Sequence, residues 1–145
     1  MVQTTFIFCS SFQSLLPLTA VGIFLTILFI QSGMDKATDW EGNLTWLKSH
    51  FGKTFMKNAV PLLLGILLVS ELLAGTACFA GSILLVWKGD LFWLNLGLIL
   101  SCTTLLMLFF GQRIAKDYTG ASALVPYFIV VLIGLILLNG QSCCL

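Results

Sequence analysis

The stretch 62-LLLGILLVSELLAGTACFAGSILLVW-87 holds a single charged residue, Glu71, near its middle. About 20 apolar residues at 1.5 Å apiece cross the ~30 Å hydrocarbon core of a bilayer. Extended back to Val60, the stretch is therefore a membrane span with length to spare, which tilting absorbs. A carboxylate roughly 15 Å inside such a span costs about 2.5–3.5 kcal/mol on insertion scales unless it is paired or protonated. The helix itself indicates where Glu71 faces. Ser70, Ala74, Cys78 and Ser82 recur at every fourth position, with Gly75 and Gly81 beside them. Such a small-residue line lets a neighbouring helix approach closely. Glu71 borders that line, so it is expected to face the interior of a helix bundle.

The rest of the chain has the same character. Of its 145 residues 59% are hydrophobic and 9% charged, with a mean hydropathy of +1.04. A soluble domain carries roughly a quarter charged residues. A water-soluble fold is excluded, and the net charge of +1 excludes the basic footprint of a nucleic-acid binder. Four spans are expected, over 15–33, 60–87, 91–110 and 121–139, in one domain covering 1–145. The fold class is thus an all-α, polytopic membrane protein: a four-helix transmembrane bundle. Ser14 suits an N-cap for the first span, with Pro17 in its first turn. Pro126 is expected in or near the first turn of the fourth. The N-terminal residues carry no Lys or Arg, so the first span reads as a retained helix rather than a signal peptide.

Charge orients the spans. Loops 34–59 and 111–123 hold Lys36, Lys48, Lys53, Lys57, Arg113 and Lys116, against Lys88 alone on the other side. Positive residues favour the cytoplasm, which predicts cytoplasmic loops and both termini outside. The first loop has a pattern of its own. Trp40, Leu44, Leu47, Phe51 and Phe55 share one helical face, while Glu41, Lys48, Ser49, Lys53 and Lys57 take the other. An amphipathic helix over 39–57, started by a Thr38–Glu41 capping box and bent at Gly52, is expected to lie flat at the membrane surface. It serves as a re-entry device between spans, as a lid over a cavity, or as a docking surface.

Polar residues gather at the same end. Gln31 and Asp35 are four apart, as are Ser32 and Lys36; Gln112 is so spaced from Lys116, and Arg113 from Asp117. The last of these is a spacing for an ion pair. Gln31, Ser32 and Arg113 are the expected partners of Glu71. One histidine, His50, does not make a metal or haem site, and no metal is expected. Cys9, Cys78, Cys102, Cys143 and Cys144 show no CxxC and no zinc spacing. Cys78 and Cys102 fall inside spans, where a thiol behaves as a small hydrophobe.

Three segments carry a family resemblance: FIQSGMDKATDW at the end of the first span, ELLAG in the second, and GQRIAKDYTGASALVPYF leading into the fourth. From about Val21 to Leu138 the chain resembles the DoxX family of small bacterial four-helix membrane proteins. The resemblance implies the bacterial cytoplasmic (inner) membrane. It marks Ser32, Asp35, Lys36, Glu71, Gln112, Arg113, Lys116, Asp117 and Tyr118 as family-like polar positions. It also implies two kinds of work. One is a non-catalytic accessory or scaffold subunit of a larger membrane complex. The other is a quinone-linked redox subunit of the thiosulfate:quinone oxidoreductase type, with a polar site around Glu71. A transporter would show inverted repeats, and no convincing repeat is present. No intrinsic cofactor and no catalytic residue are expected. The expected companions are a bound quinone or lipid, the bilayer, and other subunits or further copies of the chain.

Overall fold

The computed structural model describes the backbone of residues 2–51 and 59–142, and side chains over 15–49, 51 and 59–140. Every element in it is helical: α1 (Val2–Thr38), α2 (Trp40–Phe51), α3 (Val60–Lys88), α4 (Phe92–Ile114) and α5 (Tyr118–Ser142). Four of these are long and apolar enough to cross a membrane, and α2 is the short helix between the first two. The long helices pack in a ring, α1 on α3, α3 on α4, α4 on α5, and α5 back on α1. Helix α2 lies against α3 and α1 at one end of that ring.

The chain reads as a multi-pass membrane protein from both its inside and its outside. Leu18, Leu25 and Phe29 of α1, Leu94 and Leu98 of α4, and Val131 of α5 fill the centre. The exterior is no less apolar, with Ile27, Leu62, Phe79, Val86 and Ile136 all exposed. An aqueous protein rarely carries a continuous apolar coat of this kind. Hydroxyls on that coat are satisfied within their own helices. Thr76 and Thr103 donate to the carbonyls of Leu72 and Ile99, four residues back, at 2.8 and 2.9 Å. Neither hydroxyl is left with an unpaired donor facing hydrocarbon.

Several boundaries differ from those the sequence predicts: α1 runs past residue 33 to Thr38 and α5 past 139 to Ser142, and three others have a local cause. Helix α1 does not start at Ser14. Nothing between residues 2 and 16 breaks a helix, and Pro17 sits well inside, forfeiting one backbone bond without stopping it. Helix α4 runs on to Ile114, because its backbone ladder continues after the hydropathy falls at Gly111. Helix α5 starts at Tyr118, three residues early, so Pro126 lies inside it and not in its first turn. The reason is Asp117, whose Oδ1 accepts the N–H of Gly120 at 2.9 Å and caps the helix there.

Helix α2 presents the expected face. Trp40, Leu44 and Leu47 are partly buried and Phe51 is buried, while Glu41, Lys48 and Ser49 are exposed. Its cap is Asp39, which accepts the N–H of Gly42 at 3.1 Å. Thr38 does not cap it, because its hydroxyl is spent on the carbonyl of Met34 at 2.8 Å. Gly52, Lys53, Phe55 and Lys57 lie outside the described residues, as do Cys143 and Cys144 and the side chains of Cys9, Ser14 and His50.

Candidate functional site

The Glu71 carboxylate is fully buried, and its partner is Lys36. Lys36 Nζ lies 2.9 Å from Glu71 Oε1. Ser32 Oγ donates to the same oxygen at 3.1 Å, and Lys36 donates in turn to Ser32 Oγ at 2.8 Å. The side chain of Lys36 also reaches the Ser32 carbonyl at 3.4 Å. Ser32 and Lys36 stand one turn apart, so both project toward α3. A closed triangle results, with the three ammonium donors of Lys36 all engaged.

Two glycines make the triangle possible. A Cβ on Gly33 would meet Leu72 Cδ2 at 2.8 Å, and one on Gly75 would meet the backbone nitrogen of Ile30 at 3.1 Å. Only with both side chains absent does α1 approach α3 closely enough for Lys36 to reach Glu71. The small-residue line of α3 accordingly faces inward, with Ala74, Gly75, Cys78, Gly81 and Ser82 all buried. Cys78 Sγ stands 3.6 Å from Ser101 Oγ across the α3–α4 seam.

Beside the triangle lies a chamber of about 430 Å³ between α2, α3 and α4. Its inner wall is Leu63, Leu64 and Leu67 of α3 with Met107 and Leu108 of α4. Helix α2 covers it with Leu47, Trp46 and Phe51. Lys36, Asn43, Gln112 and Asp117 bring polar groups to it, each within a few residues of a helix end. Leu67 and Met107 lie seven residues in from the ends of their helices, about 10 Å deeper along the axis. The chamber is therefore polar at its outer end and apolar at depth.

Of the predicted site residues, Ser32, Lys36 and Glu71 form the triangle, and Lys36, Gln112 and Asp117 line the chamber. The others do not join them. Gln31 and Asp35 are exposed on another face of α1, where they border a shallow hollow with Thr76 and Phe79. Gln31 is thus no partner of Glu71. Nor is Arg113, which is exposed and stacks over the ring of Tyr118, 4.9 Å from its centroid. The expected Arg113–Asp117 ion pair is not formed, because the helix has ended between them. Lys116 takes a left-handed backbone at φ 60°, and Asp117 turns away to cap α5. Lys36–Glu71 is the only ion pair among the described residues.

Two chamber residues escape a reading of the sequence. Asn43 sits next to the apolar face of α2, and its Nδ2 donates to the Asp39 carbonyl at 2.7 Å, which leaves the amide oxygen as an acceptor. Trp46 lies off that face, and nothing in its spacing marks it. Among the described residues two polar atoms remain buried without a hydrogen-bond partner, Glu71 Oε2 and Gln112 Oε1. Such atoms are few in a native fold, and each calls for a physical reason. Against family models, curated proteins and solved structures alike, the chain finds no match.

Proposed function

We propose that the chain is a DoxX-like subunit of a larger assembly in the bacterial cytoplasmic membrane, and that its part there is to hold a small amphiphilic molecule. The orientation belonging to this reading has both termini outside and α2 at the cytoplasmic surface. The chamber is the observation that carries it. Pockets of about 300–1,000 Å³ with apolar walls and a few placed polar groups are where proteins take small ligands. A scaffold that only braced its neighbours would have no use for an opening between α3 and α4.

A quinone-linked redox subunit is the second reading, favoured by the aromatic side chains of Trp46, Phe51 and Phe110 on the chamber wall. Both readings meet in one experiment. The tagged protein is purified from its own membranes in mild detergent, and everything that stays bound is identified by mass spectrometry of proteins and of lipid extracts. Stoichiometric larger subunits together with a stoichiometric amphiphile are expected. A lone chain would overturn the subunit half of the proposal; a complex free of any retained amphiphile would overturn the ligand half. A quinone among the extracted molecules would select the redox reading.

A further inference from the structure

The ligand reading above leaves the chemistry of the head group open, and the hydrogen-bond inventory at the chamber's outer end narrows it. Most donors there are committed, Gln112 Nε2 and the second N–H of the Asn43 amide being the exceptions. The three protons of Lys36 go to Glu71 Oε1, Ser32 Oγ and the Ser32 carbonyl. The amide nitrogen of Asn43 is held by the Asp39 carbonyl. Acceptors are not committed to the same extent. Asn43 keeps its amide oxygen, and Asp117 keeps Oδ2 after Oδ1 has taken the Gly120 N–H. Gln112 Oε1 has no partner at all.

Charge points the same way. Lys36 is neutralised by Glu71 at 2.9 Å, whereas Asp117 is in no ion pair among the described residues. Among the residues that line the chamber, Asp117 is therefore the one charge without a counter-ion. An anionic head, such as a carboxylate or a phosphate, would meet the Asp117 carboxylate and be repelled by it. A head with N–H or O–H groups would supply what the site lacks.

We propose that the chamber selects single-chain amphiphiles whose head donates hydrogen bonds, seated at Asp117 and Asn43 with the chain lying against Leu64, Leu67 and Met107. Ammonium and hydroxyl heads share this chemistry. Asp117 distinguishes them, since it adds charge attraction for the first alone.

The test uses the full chain in lipid nanodiscs and five dodecyl compounds differing only in the head: the primary amine, the alcohol, the methyl ether, the trimethylammonium salt and the carboxylate. Binding is measured by titration calorimetry. Leu67→Trp, which fills the chamber, reports simple partition into lipid and is subtracted. The amine and the alcohol are expected to bind at least about tenfold more tightly than the ether, the loss of one hydrogen bond being about that large. The trimethylammonium salt, charged but without a donor, is expected to fall between the ether and the amine, and the carboxylate below all four. Asp117→Asn keeps an N-capping side chain, so the fold is retained. It is expected to erase any advantage of amine over alcohol and to leave the alcohol-to-ether ratio largely in place.

Equal binding of ether and alcohol would overturn the inference, as would a carboxylate that binds best. In either case the chamber would still hold a ligand, and the function proposed above would stand. If no compound exceeds the Leu67→Trp background, the chamber reading itself falls. An amine advantage that survives Asp117→Asn would remove Asp117 from the site.

Discussion

The two ends of the bundle are built from the same pair of helices and differ in what those helices carry. At the end away from α2, α3 and α4 touch backbone to backbone. Gly81 lies against the main chain of Leu94, and Gly97 against that of Cys78, so that a Cβ on Gly97 would stand 2.7 Å from the Cys78 nitrogen. At the α2 end the facing residues are Leu63, Leu64 and Leu67 on one helix and Met107, Leu108 and Phe110 on the other, and a chamber stands between them. Lipid tails are as apolar as leucine, so close packing of small residues draws helices together in a membrane where mere hydrophobicity does not. Bulky side chains at one end and glycines at the other wedge the pair apart on one side and close it on the other. Each end is then held by its own device: a seam of small residues at the closed end, a buried ion pair from α1 at the open one.

The largest expected effect separates these devices. Lys36→Met leaves Glu71 buried without its cation, and removing one partner of a buried pair costs about 3–5 kcal/mol. The cost is measured by unfolding the purified protein in mixed micelles of increasing denaturing detergent. Adding Glu71→Leu to Lys36→Met is expected to recover most of the loss, because an apolar pair of similar volume suits the same space. If Lys36→Met costs less than about 1 kcal/mol, the pair does not hold the open end, and the comparison of the two devices fails.

How far this was legible beforehand differs between the two ends. The closed end could be read directly, since Ala74, Cys78 and Ser82 form a visible line and need only a neighbour to accept them. The spans could be read for the same reason, because hydropathy is a property of the segment itself. The open end could not. Two polar lines leave the end of α1, Gln31 with Asp35 and Ser32 with Lys36, and only the rotation of α1 decides which one meets Glu71. That rotation is set by Gly33 and Gly75 pressing α1 onto α3, a contact between segments some forty residues apart in the chain. The misplaced Arg113–Asp117 pair has a local cause. Helical spacing was extended through Lys116, where the backbone turns left-handed. The chamber showed in the sequence only as the cavity that α2, read as a lid, would cover; where α3 and α4 part was not readable, since it depends on how two helices meet.

A second measurement puts one substitution at both ends. Gly97→Ala places a methyl group against the main chain of Cys78, which cannot rotate away as a side chain would. Overpacking of this kind costs about 1–3 kcal/mol. At the open end, the nearest atom to a Cβ on Gly65 is Trp40 Cη2, at an ordinary 3.8 Å. Gly65→Ala is therefore expected to be neutral or to stabilise by up to about 1 kcal/mol, through the better helix propensity of alanine. The same detergent titration reads both variants. Opposite signs sharpen the contrast between a seam and a chamber; a loss at Gly65 equal to that at Gly97 would show the open end to be as tightly closed as the other.

The smallest expected effect lies in the two turns, which use one backbone device with different residues. Helix α3 ends on Gly89 at φ 69°, whose N–H returns to the Leu85 carbonyl at 3.0 Å. Helix α4 ends on Lys116 at φ 60°; the N–H of Lys116 bonds Arg113 O at 3.2 Å and that of Asp117 bonds Gln112 O at 2.9 Å. This is the paired closure of a Schellman motif, in which the left-handed position is usually glycine. A side chain there costs about 1–2 kcal/mol in backbone strain. Gly89→Ala is thus expected to destabilise by about 1 kcal/mol even though nothing lies within 4 Å of the added methyl. Lys116→Gly should do the reverse. Relief of strain outweighs the extra freedom of glycine in the unfolded chain, about 0.5–1 kcal/mol, and leaves a net gain of up to about 1 kcal/mol. Strain of this kind persists where the surrounding structure fixes it, and Lys116 stands between Gln112 and the Asp117 cap at the outer end of the chamber. If Lys116→Gly stabilises the fold and weakens binding of the dodecyl amine, the strained turn serves to hold Asp117 and Gln112 in place. If stability rises and binding is unchanged, the lysine is only a poor turn residue, and the site does not depend on it.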